Sequence, residues 1–272
     1  MKIRYFDHAA TTPVRQEVVK ELLPYLGVEY GNPSSIYSIG RHNKKAIEES
    51  RQKVARAINA KKNEVYFTSC GSESDNLAIK GIMRANKDKG NHIITSKIEH
   101  PAILNTCKWL EQNGCEVTYL NVDENGKISL SELENSIKNN TVLISIMFAN
   151  NEIGTIQPIK EIGAIAKSKG IIFHTDAVQA VGNVKIDVQS LNIDALSMSG
   201  HKIYAPKGIG FLYHKPGLSE LKPLIYGGHQ ENGLRAGTEN NIGIIAMGEA
   251  ISILDKTMDD ENKKIYQNFH PI

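Results

Sequence analysis

The most informative residue for chemistry is Lys202, which follows a short apolar run and a few small or polar residues. The run from Ile193 to Leu196 predicts a buried strand that ends just before Ser199 and His201. A lysine at the mouth of a pocket loses hydration, which lowers its pKa and frees its lone pair to attack a carbonyl. We therefore hypothesise that Lys202 holds an aldehyde cofactor, pyridoxal phosphate. The alternative is a solvated lysine at a strand end.

A second candidate is the small-residue stretch from Cys70 to Asn76, which follows a predicted strand from Glu64 to Ser69. A helix is expected to resume at Leu77. Strand, turn and helix in this order place free backbone N–H groups around an anion. Gly71 would let a phosphate approach the backbone, and Ser72 would add a hydroxyl donor. No Gly-Lys-Ser/Thr follows, so this is not a Walker loop, and a plain turn with a serine N-cap is the alternative.

Other polar groups stand where predicted strands end. His100 lies at a strand-to-helix junction, and Asn150 follows a buried strand. Asp176 ends an apolar strand, with Gln179 close behind it. A capping histidine, a tight turn and a helix N-terminus are the respective alternatives for His100, Asn150 and Asp176. A metal site is not predicted, because the ligands lack clustered spacing.

The elements that must position these groups alternate between strand and helix along the chain. This order predicts an α/β fold with a mainly parallel sheet and helices on both faces. The carboxyl ends of parallel strands meet at one edge, so groups distant in sequence can converge there. Phosphate donors, an imidazole, an amide, a carboxylate and a lysine are together the parts of a pyridoxal phosphate site. A long glycine-rich loop, residues 227–240, is also expected to be functional.

Composition excludes several classes of function. The 32 basic and 30 acidic residues give a net charge of +2, which does not favour binding to nucleic acid. Three cysteines, an odd number, argue against a disulfide framework and for a reducing compartment. No apolar run is long enough to span a bilayer, and no signal peptide is seen at the N-terminus. We expect a cytoplasmic protein with no membrane partner.

The sequence resembles the class V, fold type I enzymes that use pyridoxal phosphate, and among them the NifS/IscS-type cysteine desulfurases. The similarity extends over nearly the whole chain and keeps the family's motif order. The matching stretches are Tyr5 to Pro13, Gly31 to Ser35, Phe67 to Asn76, Glu99 to Pro101, Asn150 to Gly154, His174 to Gln179, Ser199 to Lys202 and Arg235 to Thr238.

The resemblance implies a role for each candidate residue. Lys202 would hold the cofactor covalently, and His100 would stack on its ring and transfer protons. Asp176 would keep the pyridine nitrogen protonated. The remaining groups would bind the cofactor's phenolic oxygen (Asn150, Gln179) and phosphate (Gly71, Ser72, Ser199, His201). Thr238 would reach the phosphate of a neighbouring subunit, which implies a homodimer.

The implied reaction removes sulfur from L-cysteine and gives L-alanine and an enzyme persulfide for iron–sulfur cluster or thio-cofactor assembly. A sulfur-acceptor or scaffold protein would be a partner. The implied domains are an N-terminal arm (1–15), a cofactor-binding large domain (16–255) and the start of a small C-terminal domain (256–272) that is mostly missing.

The chain departs from the family pattern in three ways. Cys70 and Ala205 replace usual glycines, and no cysteine follows Cys115. The family's nucleophilic cysteine and its substrate-clamping arginine lie further downstream, so we expect a truncated chain that lacks desulfurase turnover and retains cofactor binding. The alternatives are another class V activity (selenocysteine lyase or aminotransferase), a non-catalytic cofactor-binding remnant and, least favoured, a nucleotide-binding module.

Overall fold

The computed structural model describes residues 4–217 and 221–269. Within these ranges the strands are β1 (Val65–Thr68), β2 (His92–Ser96), β3 (Glu116–Leu120), β4 (Thr141–Ser145), β5 (Ile172–Asp176), β6 (Ala195–Ser199) and β7 (Gly210–His214). The helices are α1 (Gln16–Gly27), α2 (Ser38–Ala57), α3 (Gly71–Ala85), α4 (Pro101–Gln112), α5 (Leu130–Asn135), α6 (Ile159–Lys169) and α7 (Asn241–Phe269).

All the strands join one sheet in the order β1-β7-β6-β5-β4-β2-β3. Neighbours from β6 to β3 pair in parallel, and β7 runs antiparallel to both β1 and β6. Six of the described strands therefore share one direction and end at one edge of the sheet. This confirms the mainly parallel α/β architecture.

Two apolar clusters cover the two faces of the sheet. Along β4 and β5, side chains alternate between the clusters, as the two-residue period of a strand requires. Ile144 and Phe173 join the cluster that includes residues of α2, α6 and α7, whereas Leu143 and Ile172 join the one that includes residues of α3 and α4. Burial on both faces explains why these strands read as continuous apolar runs.

The start of α3 corrects the sequence interpretation. We expected helix from Leu77, but α3 begins at Gly71, with Cys70 as its N-cap in an extended conformation. The Ser74 N–H donates to the Cys70 carbonyl at 3.1 Å, which closes the first turn. Small polar residues and an acidic Glu73 suit the first turn of a helix, so the same composition that suggests a loop also favours a helix start.

The C-terminal part of the described chain is one long helix. The predicted boundary between residues 255 and 256 falls inside α7, and the domain division stays a prediction. Residues 1–3 of the predicted arm and 270–272 of the predicted small domain lie outside the described residues. Of the helices in the described ranges, none combines the length and apolar composition that crossing a membrane requires.

Candidate active site

A cavity of about 470 Å³ opens at the edge where the parallel strands end. Its walls come from the arm, the turns that follow β1, β5 and β6, the loop that follows β4, and the start of α4. Most of the predicted site residues line it, namely Gly71, Ser72, His100, Asp176, Gln179, Ser199, His201 and Lys202. These residues come from distant parts of the sequence and meet because the strands that carry them are parallel.

Lys202 ends a single 3-10 turn, Gly200–Lys202, directly after β6. Its ammonium donates hydrogen bonds to the carbonyl oxygens of Ala9 and, at 2.9 Å, Ala10. Partial burial lowers the pKa of this amine, while the carboxylates of Asp7 and Asp176 act in the opposite direction. A lysine of this kind is primed for reaction with a carbonyl, because its neutral form is easier to reach than that of a solvated lysine.

Asp176 is the last residue of β5, and its side chain is buried beneath the cavity. Burial raises the pKa of its carboxyl group. A hydrogen bond from the Val178 N–H to Oδ1, at 3.0 Å, and the nearby His100 and Lys202 lower it. A buried carboxylate that faces a cavity is suited to a cationic partner, such as a protonated ring nitrogen.

His100 is the N-cap residue of α4 and lies at the rim of the cavity. Its Nδ1 accepts a hydrogen bond from the Ala102 N–H at 3.1 Å. While this bond is kept, Nδ1 carries no proton, so the ring proton of the imidazole is on Nε2. The cap therefore fixes which nitrogen of His100 can donate a proton.

The first turn of α3 forms another part of the cavity wall. A Cβ atom on Gly71 would lie 3.0 Å from Val178 Cγ2 and 3.3 Å from Ser199 Cβ, so the backbone packs closely there. The first N–H groups of a helix have no partner inside the helix and attract anions. Ser72 is exposed and lines the same cavity. This end of the cavity suits a phosphate group.

The N-terminal arm closes one side of the cavity. The Thr12 hydroxyl donates to the His201 carbonyl at 2.9 Å and accepts from the Tyr204 N–H at 2.7 Å. The Gln179 amide donates to the Ala9 carbonyl at 3.2 Å. The arm is thus attached to the loop that carries Lys202, which explains how residues near the chain start reach the site.

Two predicted site residues lie outside the cavity lining. The Asn150 side chain is buried and holds the following loop, since Oδ1 accepts from the N–H groups of Glu152 and Ile153 and Nδ2 donates to the Ile98 carbonyl. Thr238 is exposed and borders a separate depression of about 150 Å³. The structure therefore does not bring these two side chains together with the other eight.

Several lining residues were not singled out from the sequence, among them Asp75, Asp7, Met147 and Glu152. Asp75 carried a usable signal, because it lies four residues after Gly71 and would share its helix face. Reading residues 70–76 as a turn that precedes the helix hides that signal. Met147 and Glu152 carry no pattern that distinguishes them from ordinary strand-end residues.

The donors in the cavity fit pyridoxal phosphate. The close-packed helix start can take the phosphate, and Lys202 supplies an amine for the aldehyde. Asp176 supplies a carboxylate for the ring nitrogen. A further buried oxygen, Oδ1 of Asp75, has no hydrogen-bond partner among the described residues and lies at the same cavity.

Comparisons with known proteins identify relatives across the whole described chain. The sequence profile described as "Aminotransferase class-V" matches residues 4–269. "Cysteine desulfurase IscS" of Methanosarcina thermophila is 58% identical over 264 residues, which cover 97% of this chain and 65% of the relative. The chain therefore spans about two thirds of the length of that curated relative.

Two solved structures have the same fold. "NIFS-LIKE PROTEIN" superposes with a TM-score of 0.92 at 40% sequence identity, and the matched region covers 94% of this chain and 71% of that protein's chain. "SspA in complex with cysteine" gives a TM-score of 0.90 at 43% identity, covering 98% of this chain and 78% of its own. The similarity to these two structures, at 40% and 43% sequence identity, confirms the expected fold type I architecture.

Proposed function

The chain belongs to the class-V aminotransferase family, and we propose that it binds pyridoxal phosphate and carries the cofactor site of a cysteine desulfurase. The supporting observation is that Lys202, Asp176 and His100 border one cavity that the start of α3 also lines. The similarity to cysteine desulfurases supports L-cysteine as the substrate, as does a solved relative described as in complex with cysteine.

In the proposed reaction a thiolate attacks the sulfur of L-cysteine and takes it as a persulfide. The carbon–sulfur bond breaks, and its electron pair and a proton complete the methyl group of L-alanine. Pyridoxal phosphate supplies an aldehyde that captures the amino group and a ring that withdraws electrons. The persulfide would pass to a sulfur-acceptor or scaffold protein for iron–sulfur cluster or thio-cofactor assembly.

The residues of the chain bind and orient the reactants. Lys202 would hold the cofactor through its ε-amine, and Asp176 would keep the ring nitrogen protonated by placing a buried negative charge against it. The Nε2–H of His100 would deliver a proton at the cavity rim. Gly71 and Ser72 would bind the phosphate at the helix start, with Ser199 and His201 beside them.

Gln179 and Asn150 would act on the ring in different ways. The Gln179 amide lines the cavity and would bind the phenolic oxygen of the ring. Asn150 would support it from outside, because its amide fixes the loop that carries Glu152, which does line the cavity.

The cysteines of the chain differ in their suitability as the attacking thiolate. Burial raises the pKa of the Cys107 thiol to about 12, and burial also raises that of Cys115. Neither lines the cavity, whereas Cys70 does. We assign Cys107 and Cys115 to structure. The absence of desulfurase turnover by these 272 residues alone stays a prediction, which the production of alanine from cysteine measures directly.

We further propose that the protein is a homodimer with shared sites. Thr238 is exposed and does not line the cavity of its own chain, so its hydroxyl would reach a phosphate in a second copy. Sedimentation should give the mass of a dimer, and Thr238→Ala should weaken cofactor affinity while Thr238→Ser restores it. A protein that sediments as a monomer, and whose Thr238→Ala variant keeps the cofactor affinity of the unsubstituted chain, would contradict this arrangement.

The test of the proposed function is covalent trapping of the cofactor. The chain incubated with pyridoxal phosphate should develop a visible absorbance band, and borohydride should fix the cofactor to the peptide that contains Lys202. Lys202→Ala should abolish trapping. Lys207→Ala, an exposed lysine five residues away, is the matched control and should leave trapping unchanged. Trapping at other lysines, or none, would contradict the proposal.

A further inference from the structure

Asp75 is an acidic residue buried at the cavity that the proposed reaction does not use. It lies in the first turns of α3, is 1% exposed, and lines the cavity. Its Oδ1 atom has no hydrogen-bond partner among the residues that the structure describes. An ionised carboxylate with an unpaired buried oxygen is strongly unfavourable, so this group either binds a cation or keeps its proton.

A second carboxyl group lies close to Asp75. One carboxylate oxygen from each of Asp75 and Asp176 and one ring nitrogen of His100 lie within 4.8 Å of one another. Both aspartates are buried, and two like charges this close in a poorly hydrated site do not both ionise. Over a range of pH the two carboxyl groups therefore share one proton, so that one group is neutral while the other is ionised.

The neighbour of Asp75 on β5 gives it no positive charge. His174 Nε2 lies 3.8 Å from the Asp75 Oδ1 atom. Both ring nitrogens of His174 are engaged by hydroxyls, Nδ1 with Ser145 Oγ and Nε2 with Ser197 Oγ, each at 2.9 Å. Burial lowers the pKa of His174 to about 3, so the ring is neutral at physiological pH.

The other groups that face Asp75 act on its pKa in both directions, and the causes that disfavour its charge are the larger ones. Glu99, before α4, and Cys70, before α3, raise its pKa, while a hydrogen bond from the Ser197 side chain on β6 lowers it. Burial and the charge of Asp176 are the largest causes, and the resulting pKa lies well above the usual range.

The proton and the charge are distributed unequally between the two aspartates. Asp176 accepts the Val178 N–H, and His100 and Lys202 favour its ionised form. Asp75, by contrast, lies beside the negative charge of Asp176, which disfavours the ionised form of Asp75. The geometry therefore places the negative charge on Asp176 and the proton on Asp75.

We propose that Asp75 is a positioning residue, a protonated carboxyl group in the cavity lining that keeps the negative charge of the pair on Asp176. The role rests on the proposed function, because it acts on the carboxylate that would meet the cofactor ring. A neutral Asp75 lets the site present one buried negative charge to the ring nitrogen instead of two.

The first experiment needs no cofactor. Carbon-13 NMR of the chain labelled at aspartate carboxyl groups should show one resonance that remains protonated at pH 7 and disappears in Asp75→Asn. An Asp75 resonance with the shift of an ionised carboxylate at pH 7 would overturn the proposal, whether or not the chain binds pyridoxal phosphate. Absence of cofactor binding would instead count against the proposed function.

The second experiment uses the bound cofactor. Asp75→Asn keeps the size and hydrogen-bonding capacity of the side chain but cannot ionise, so it should keep affinity for pyridoxal phosphate within about threefold. The pH midpoint of the cofactor's visible absorbance should move by less than about 0.3 unit. Asp75→Ala should weaken affinity by about tenfold or more, because Asp176 loses its fixed neighbour.

Two results of this titration would overturn the proposal. A midpoint that falls by about one unit in Asp75→Asn would mean that a negative charge had been removed near the ring. Equal affinity in the asparagine and alanine variants would mean that Asp75 positions nothing. Zinc added to the cofactor-free chain should not raise its unfolding temperature; a rise that Asp75→Asn abolishes would assign the cluster to a cation instead.

Discussion

Glu231, a residue of the glycine-rich loop 227–240, accepts two hydrogen bonds from the Arg51 guanidinium, at 2.6 and 2.8 Å. The same carboxylate accepts the Phe67 N–H at 2.8 Å, which attaches the loop to β1. Glu231 has a φ of 47°, in the left-handed region, so the loop backbone is held in an uncommon conformation around this ion pair. The contact links the loop that carries Thr238 to the strand that leads into α3.

Breaking this ion pair should destabilise the fold. Glu231→Gln leaves the buried Arg51 with Glu48, 3.2 Å away and partly exposed, as its remaining counter-charge, and the free energy of unfolding should fall by about 2–3 kcal/mol. Chemical denaturation measures the change. The control is Glu249→Gln in the more exposed pair with Lys53, where the loss should be below about 1 kcal/mol. If the free energy of unfolding falls equally in both variants, the buried Glu231–Arg51 pair stabilises the fold no more than the more exposed pair does.

Gly71 should be essential for phosphate binding. Its replacement by valine places side-chain atoms against Val178 and Ser199, where a Cβ alone already lies at 3.0 and 3.3 Å. Affinity for pyridoxal phosphate should fall by at least about tenfold, measured by absorbance titration. Gly27→Ala is the matched control, because a Cβ there meets nothing within 4 Å. Unchanged affinity in Gly71→Val would show that the phosphate does not bind at the start of α3.

The N-terminal arm should hold the loop that carries Lys202 in place through the Thr12 hydroxyl. Thr12→Val removes the hydroxyl that donates to the His201 carbonyl and leaves the Tyr204 N–H without its acceptor. Stability should fall by about 1–2 kcal/mol, and release of bound pyridoxal phosphate should become faster. Thr12→Ser keeps the hydroxyl and should behave like the unsubstituted chain. If valine and serine variants release the cofactor equally fast, the hydroxyl does not hold the loop.

Glu99 should make the fold less stable at alkaline pH. Burial raises its pKa to about 8 from an ordinary value of 4.5. As pH rises from 4.5 to 8, the unfolded chain ionises this group and the folded chain does not, so the folded state binds more protons and stability falls with pH. The contribution is therefore favourable at low pH and is lost as pH rises through the folded pKa.

Glu99→Gln should remove this pH dependence. The glutamine oxygen can still accept from the Ser96 hydroxyl and the Met147 N–H, which bond Glu99 Oε1 at 2.6 and 3.0 Å. The variant should be about 1–3 kcal/mol more stable relative to the unsubstituted chain at pH 8 than at pH 5, measured by denaturation at each pH. The exposed Glu134→Gln is the control and should show no such difference. A parallel pH profile in Glu99→Gln would contradict the assigned pKa.

The amino-acid sequence determined the α/β architecture and most of the candidate site. Continuous apolar strands and alternating helices require a covered, mainly parallel sheet, and such a sheet collects its strand ends at one edge. Lys202, Asp176, His100 and Gly71 could therefore be placed together from their positions in these elements.

Tertiary structure decided what depends on contacts between distant elements. It started α3 at Gly71, which placed Asp75 in the cavity lining, and it turned the Asn150 amide towards its own loop. It also placed the arm against Lys202. Periodicity gives the face on which a residue lies, but burial, charge pairing and protonation depend on which side chains from other elements pack against it.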